Sequence, residues 1–123
     1  MMTSLKTRAD FLRAQKGIRR RAPSLTLEIC PTPEKFAAPC ALRVGYTASR
    51  KVGQAVERNR AKRRLRAAAA ALLPLYGREG TDYVLVARRE TLIRPFDGLL
   101  ADLAGALQAA HARSGRSTPG GLP

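Results

Sequence analysis

Acidic side chains are scarce in this chain of 123 residues, which has nine Asp and Glu against 23 Lys and Arg and a formal net charge of +14. The nine acids are scattered, and none forms an Asp-x-Asp or Glu-x-x-His cluster. A protein nuclease that uses two metal ions needs converging carboxylates. Since His111 is the only histidine, we expect no Ser/His/Asp or Cys/His set either. We therefore predict no catalytic residue in this chain.

Cysteine, tryptophan and long apolar runs are also sparse or missing. Cys30 and Cys40 are the only cysteines, and a single histidine leaves them without the partners of a zinc site, so we predict free thiols and no metal ligand. No segment approaches the ~18 apolar residues of a membrane span, and no apolar signal core follows the basic N-terminal residues. Tryptophan is absent, which argues against an interfacial membrane helix. We expect a cytoplasmic protein with no membrane partner.

The cations are concentrated in two segments of the chain. Residues 6–21 hold seven Lys and Arg against one Asp, and residues 43–66 hold nine against one Glu. The rest of the chain is neutral in sum. Two basic patches on a neutral body are typical of a nucleic-acid footprint, whereas uniform supercharging would not be.

The densest run of cations, residues 58–66, is predicted to lie on a helix. Six of its nine residues are cationic and none is acidic. Apolar residues recur at helical spacing in and after the run and predict a buried stripe. They are Ala61, Leu65, Ala68, Ala69 and Leu72. The cations occupy the remaining arc and repel one another, so an external anion is needed to offset the repulsion. We expect that anion to be a nucleic-acid backbone.

The predicted start of this helix strengthens that expectation. A helix N-terminus carries partial positive charge and disfavours cations. Arg58 and Arg60 nevertheless lie in the first turns, with only Glu57 as a counterweight. A bound phosphate would resolve the conflict, because free backbone N–H groups and the arginines would face the same anion. The alternative is a solvated charged face, but such faces usually mix charges of both signs.

Sequence patterns elsewhere predict a single α+β domain over residues 1–112 and a disordered tail over residues 113–123. The predicted elements are a helix from Thr7 to Gly17, a basic connector at 19–21, a half-buried strand at 25–29, a strand at 42–48, the basic helix at 55–73, a central strand at 82–88 and a last helix after Pro95. Pro31, Pro33 and Pro39 predict a loop after the first strand. The order predicts a two-layer α/β sandwich, with helices on one or both faces of a small sheet.

From residue 42 to residue 66 the sequence closely resembles the protein subunit of bacterial ribonuclease P. That family has a strand, then a Ser-basic-basic element, then a helix that carries an Arg-Asn-Arg motif. The matching segments here are 43–46, 49–53 and 58–63, with weaker matches at 5–6, 10–11 and 82–88. The resemblance extends over roughly residues 5–110.

The resemblance implies a fold like the second domain of ribosomal protein S5, with a small mixed sheet and a left-handed crossover around the basic helix. It also implies a function. In this family the RNA subunit catalyses removal of the 5′ leader of precursor tRNA with bound Mg²⁺, and the protein assists without catalysing. The implied partners are ribonuclease P RNA and precursor tRNA, and no protein partner is implied.

The resemblance also assigns roles to residues. Contacts to RNA are implied for Ser49, Arg50, Lys51, Arg58, Asn59, Arg60, Lys62, Arg63 and Arg66. A cleft for the single-stranded leader is implied for Phe11, Thr26, Glu28 and Arg88. Some members have further aromatic residues in that cleft, where this chain has Gln15 and Glu28. Each lost stacking ring removes about 1–3 kcal/mol per base.

Two alternatives remain open at the level of sequence. A ribosomal protein or another structural RNA-binding protein of similar fold would explain the charge equally well. Phe11 could be an ordinary core residue, because an aromatic side chain on the apolar face of a helix is common. Residues 19–21 are predicted to contact phosphate, with a solvated loop as the rival interpretation.

Overall fold

The computed structural model describes residues 2–36 and 41–114. Its elements, in chain order, are β1 (Met2–Ser4), α1 (Arg8–Gln15), β2 (Ile18–Arg21), β3 (Leu25–Pro31), a single 3-10 turn (Glu34–Phe36), β4 (Leu42–Ala48), α2 (Ala55–Tyr76), β5 (Thr81–Ala87), α3 (Arg89–Ile93) and α4 (Phe96–Ser114). The predictions for Pro39, Cys40 and residues 115–123 lie outside the described residues.

The strands form one mixed five-stranded sheet in the order β1-β4-β5-β3-β2. β4 pairs in parallel with both β1 and β5, whereas β3 is antiparallel to β5 and β2. The mixed α+β fold is as predicted, and β5 is the central strand. Since β4 and β5 are parallel neighbours, the chain must cross over between them, and α2 forms that connection.

The main core lies between the sheet and the layer of α2 and α4. Leu25, Leu27 and Ile29 of β3 point into it, and α4 contributes Leu99, Leu103 and Leu107. We call this side of the sheet the α2/α4 face. A smaller core on the opposite side, the α1 face, joins Ala14 of α1 to Leu5, Cys30 and Val84.

Local sequence signals explain the ends of α1. Thr7 caps the helix, and its Oγ1 accepts a hydrogen bond from the Asp10 backbone N–H at 3.3 Å. The Asp10 carboxylate accepts hydrogen bonds from Arg13 and Arg43. Gly17 follows the helix, and its amide donates to the Ala14 carbonyl.

A cluster of buried charges crosses the α1 face. The Arg43 guanidinium contacts both Asp82 carboxylate oxygens, at 2.9 and 2.7 Å, and the Asp10 carboxylate at 3.1 Å. Arg13 also donates to Asp10, at 2.6 Å. Asp82 is fully buried and Asp10 is 4% exposed. Arg43 therefore belongs to the interior, although the charge count places it in the second basic segment.

Several boundaries differ from the predictions, each for a physical reason. Residues 19–21 are an edge strand rather than a connector, because their backbone pairs with β3. β3 is buried on both faces rather than half-buried, because α1 packs against its second face, where Ala14 meets Cys30. α2 continues to Tyr76, since Pro74 lies in the last turn, where its missing N–H costs one hydrogen bond. Helix α4 extends to Ser114, two residues into the predicted tail.

Two short elements had no recognisable sequence signal. β1 has only three residues and is held by parallel pairing to β4. α3 has five residues and follows directly after β5, where the sequence pattern predicts that the strand continues through Arg88. Arg88 instead precedes α3 as its N-cap residue.

Candidate nucleic-acid interface

The basic helix α2 packs its apolar stripe into the main core. Ala61, Leu65, Ala68 and Ala69 are fully buried, as predicted. Leu73 is also buried, whereas Leu72 is only partly so. Burial of this stripe fixes the rotation of the helix about its axis, so the cationic arc must face away from the core.

The start of α2 is capped by its own acid. Gln54 is the N-cap residue, and its backbone N–H donates to Glu57 Oε1 at 2.9 Å. Gly53 precedes it with φ +150°, and a Cβ there would lie 2.8 Å from the Glu57 Cβ. The only acid between residues 43 and 66 is thus committed to the helix end and does not pair with the arginines that follow.

The predicted RNA-contacting residues lie on the surface at and before this helix. Ser49, Arg50, Lys51, Asn59, Arg60, Arg63 and Arg66 are exposed. Arg58 and Lys62 are half-buried. Ser49 begins a turn in which its carbonyl accepts from the Val52 N–H at 3.0 Å and its Oγ accepts from the Lys51 N–H at 3.3 Å. This turn places the Ser-basic-basic element directly before the N-terminus of α2.

Internal carboxylates do not neutralise this surface. Within residues 2–36 and 41–114, the ion pairs involve Arg13, Arg19, Arg43, Arg88 and Arg94. None involves a cation of α2 or of the turn before it. The charges that the sequence places together therefore remain available to an external polyanion.

Two arginines of α2 have specific partners within the protein. Arg64 donates to the Thr91 and Arg94 carbonyls, both at 2.6 Å, and so closes the C-terminal end of α3. The Arg66 guanidinium lies 4.9 Å from the centroid of the Tyr46 ring, a cation–π contact that keeps its charge. Arg64 is therefore a packing residue of the helix, whereas Arg66 is held in place at the surface.

A cleft of about 280 Å³ lies on the α1 face. Its floor is Val84 and Val86 of β5, and the side chains around it include Phe11, Gln15, Arg19, Glu28, Thr47 and Ser49. Phe11, Glu28 and Ser49, predicted from separate segments, therefore meet at one cleft. Ser49 also begins the turn before α2, so the cleft ends where the basic surface starts.

Not all predicted cleft residues line this cleft. Thr26 is 5% exposed and pairs with Val86 of the cleft floor. The Arg88 guanidinium donates to the Ala22 carbonyl. Contact of either residue with a leader stays a prediction. Gly45 is a residue that sequence reasoning missed: a Cβ there would lie 2.6 Å from Phe11 Cε1, so only glycine lets the Phe11 ring lie on the strand. A glycine inside a strand pattern is the signal for such close approach.

Glu28 is an unusual residue at this cleft. It is 2% exposed, and burial raises the pKa of its carboxyl group, although Arg19 opposes the shift. Arg19 Nε lies 3.4 Å from Glu28 Oε2. The pair places a carboxyl group and a guanidinium group together at the edge of the cleft.

At the opposite end of the sheet, His111 packs against Tyr83. The Tyr83 hydroxyl accepts from the Arg78 backbone N–H at 2.7 Å and lies 2.7 Å from His111 Nε2. Burial, together with the nearby Arg78 charge, lowers the pKa of His111 to about 4. His111 is therefore neutral at pH 7, and its Nε2 shares a hydrogen bond with the Tyr83 hydroxyl.

Two other kinds of site are absent from the described part of the chain. It has no group of three or more His, Cys, Asp and Glu placed to hold a metal ion. None of its helices combines the length and apolar character of a membrane span.

Comparison with known proteins identifies relatives for almost the whole chain. A family model described as "Ribonuclease P" matches residues 2–111. The ribonuclease P protein component of Paramagnetospirillum magneticum is 47% identical over 122 residues, covering 93% of this chain and 91% of the relative. That of Ruegeria pomeroyi is 50% identical over 109 residues, covering 88% and 86%.

Solved structures agree with these relatives at the level of fold. The Staphylococcus aureus RNase P protein superimposes with a TM-score of 0.69 at 24% identity, covering 87% of this chain and 94% of that one. The protein from Thermotoga maritima superimposes with a TM-score of 0.68 at 24% identity, covering 85% and 94%.

Proposed function

This chain belongs to the ribonuclease P protein family, and from that premise we propose that it binds ribonuclease P RNA through α2 and holds the 5′ leader of precursor tRNA in the cleft on the α1 face. The observation that carries the proposal is the cationic arc of α2, which no internal carboxylate neutralises in the described residues. An RNA backbone supplies the missing negative charge.

The exposed cations have roles that follow from their positions. Arg60 and Arg63 on α2, with Arg50 and Lys51 in the preceding turn, form the surface that meets folded RNA. Arginine suits this role because its planar fork donates two parallel hydrogen bonds to a phosphate. Asn59, exposed between two arginines, offers an amide to a base edge or a ribose.

The cleft suits single-stranded rather than double-stranded RNA. Its volume is only about 280 Å³, and Phe11 provides one aromatic face at its edge. Unpaired bases stack on such rings, while the backbone follows nearby cations. Because the cleft ends at Ser49, a leader bound there would continue directly onto the basic surface of α2.

We propose that the chemistry is carried out by the RNA subunit with its Mg²⁺. The buried carboxylates Asp10 and Asp82 are engaged by arginines, and Glu57 caps α2, so we assign no metal ligand to the described residues. The protein contributes binding: its cations offset repulsion between two RNA molecules, which strengthens substrate binding and lowers the Mg²⁺ concentration needed. A cytoplasmic location belongs to the same proposal.

The direct test mixes the purified protein with bacterial ribonuclease P RNA and precursor tRNA at low Mg²⁺. We expect faster cleavage than with RNA alone, and a much smaller gain for the Arg60→Ala/Arg63→Ala variant. Lys35→Ala removes an exposed charge outside α2 and the cleft, and should behave like the unaltered protein. No gain from the unaltered protein would refute the proposal and favour a structural RNA-binding role.

A further inference from the structure

A cavity of about 650 Å³ lies at the end of the sheet where His111 packs against Tyr83, and the proposed function does not use it. We call it the end cavity. It is bounded by the end of α1, by β2 and β3, by the loop between α2 and β5, and by the C-terminal part of α4. None of its lining residues lines the cleft on the α1 face. Its volume lies within the range of about 300–1,000 Å³ that is typical of small-molecule sites.

The pairing of the strands explains why this space is open. Ile18, at the start of β2, pairs with Ile29, and β3 continues two residues farther, to Pro31. Beyond Ile29, the side of β3 that faces β2 therefore has no strand beside it in the described residues. Gly17 lets the chain pass close to this edge, since a Cβ there would overlap the Ile29 carbonyl oxygen. The backbone thus sets the shape of the end cavity before any ligand binds.

The wall of the end cavity is mostly apolar. Ile18, Ile29 and Pro31 contribute aliphatic side chains. Cys30 adds a thiol whose pKa is raised by burial, so the thiol is neutral and acts as a small apolar group. Such a wall favours an apolar ligand body over a hydrated ion.

Two cations border the end cavity. Lys16 is exposed and Arg78 is half-buried. Neither forms an ion pair within residues 2–36 and 41–114. Glu79, the only carboxylate in the lining, already has an interaction within the protein. An ammonium and a guanidinium group are thus available to an anionic group on a ligand.

We propose that the end cavity binds a small organic anion through Lys16 and Arg78. The apolar body of the anion packs against Ile18, Ile29 and Pro31. Its anionic group is a carboxylate, because a guanidinium donates two parallel hydrogen bonds to a carboxylate. The end cavity shares no lining residue with the cleft and contains no residue of α2, so the anion and RNA bind to the protein at the same time. The bound anion links α1 to α4 and raises the melting temperature of the protein.

The test titrates untagged protein with 2-naphthoate and follows the imidazole proton signals of His111 by NMR. His111 is the only histidine of the chain and lines the end cavity, so these signals report on that site. We expect a shift that saturates. The uncharged 2-naphthamide, which has the same ring system, should bind about tenfold more weakly. Inorganic phosphate, which lacks an apolar body, should leave the His111 signals unchanged.

The variant Lys16→Ala/Arg78→Ala should bind 2-naphthoate about tenfold more weakly than the unaltered protein. Arg60→Ala/Arg63→Ala is the matched control, since it also removes two positive charges but lies outside the end cavity. Melting temperatures show whether both variants are folded, and Lys16→Arg/Arg78→Lys should restore part of the lost affinity. Equilibrium dialysis of the reconstituted holoenzyme, with RNA alone as the blank, should give the same affinity for 2-naphthoate as the free protein.

Four outcomes would overturn the inference. They are no saturable shift of the His111 signals with 2-naphthoate, equal affinity for 2-naphthamide, an equal loss of affinity in the α2 control variant, and loss of 2-naphthoate binding in the holoenzyme. None of them depends on whether the protein assists cleavage of precursor tRNA, so they are distinguishable from failure of the proposed function.

Discussion

Two arginine-rich regions of this molecule use the same side chain in opposite ways. The Arg43 guanidinium is buried against Asp10 and Asp82, and each of these three charges has a partner within 3.5 Å. Along α2, Arg60 and Arg63 are exposed and the nearby acid is used for helix capping. The first region stabilises the fold, whereas the second presents the charges that we propose bind RNA. The role of a basic residue can therefore be inferred only when its hydrogen-bond and ion-pair partners in the fold are known.

The largest contrast should follow from removing one arginine from each region. Arg43→Ala leaves Asp82 buried without its bidentate partner, which should lower the free energy of unfolding by about 3–5 kcal/mol. Arg60→Ala is expected to change it by no more than about 0.5 kcal/mol, because the side chain is exposed. Urea denaturation of both variants measures the difference. Equal destabilisation would remove the distinction between the two regions.

Acid should weaken the folded protein through buried groups and leave the cations of α2 unaffected. The pKa of His111 is about 4, below its ordinary 6.5, so the unfolded chain takes up a proton more readily. The contribution of neutral His111 to the free energy of unfolding is complete above pH 6.5. It falls by up to about 3 kcal/mol as the pH approaches 4. Hydrogen bonds from Arg13, Thr7 and Arg43 outweigh burial and hold the pKa of Asp10 at about 2, which adds a second loss as the pH falls from 3.8 toward 2.

Unfolding measured at a series of pH values checks this, with His111→Gln as the control. Glutamine can still donate or accept a hydrogen bond at the Tyr83 hydroxyl but does not titrate. The variant should show a flatter pH dependence between 6.5 and 4. An unchanged slope would assign the acid sensitivity to other groups.

RNA binding, unlike stability, should depend more on the exposed arginines of α2 than on the buried Arg43. Arg60→Ala or Lys62→Ala should weaken RNA binding by roughly tenfold or less and flatten the salt slope by about one unit for each lost phosphate contact. Filter binding across a salt series measures both quantities. A slope identical to that of the unaltered protein would mean that the residue does not contact phosphate.

The smallest effect is expected at the boundary between buried and exposed charge, at Glu28. Glu28→Gln removes a carboxylate beside the path of the leader and releases Arg19 from its ion pair. Affinity for precursor tRNA with a long leader should rise by a fewfold, about 1 kcal/mol or less, since the Arg19 partner is mostly exposed. Competition binding with leaderless tRNA as control isolates the effect. Weaker binding would show that Glu28 contributes a favourable contact.

Much of the fold could be predicted because its signals are local. The Ala61-to-Leu72 stripe predicts α2, and the apolar run from Tyr83 predicts the central strand. β1 and α3 could not be predicted, because three and five residues carry too little periodicity and depend on their neighbours for stability. The strand at residues 19–21 was missed because three arginines resemble a loop until β3 provides a pairing partner.

The candidate site, like the fold, could be predicted only where its signals are local in sequence. Residues 49–66 could be proposed as an RNA-contacting surface from their order alone, because they are contiguous and their motif resembles that of a known family. The cleft could not be assembled from sequence without that family, since Phe11, Glu28 and Ser49 lie on three separate elements. Arg64 and Arg66 are two residues apart in one basic run, yet one binds backbone carbonyls and the other stacks on Tyr46.

The amino-acid sequence alone determined the excess of positive charge, its concentration in two segments and the amphipathic helix that presents one of them. These follow from composition and periodicity, which are properties of neighbours along the chain. Only the tertiary structure decided which arginines are neutralised, because Asp10, Arg43 and Asp82 are far apart in sequence and meet only across paired strands and a packed helix. Charge is a sum over residues, but the availability of a charge to RNA depends on what lies within hydrogen-bonding distance of it.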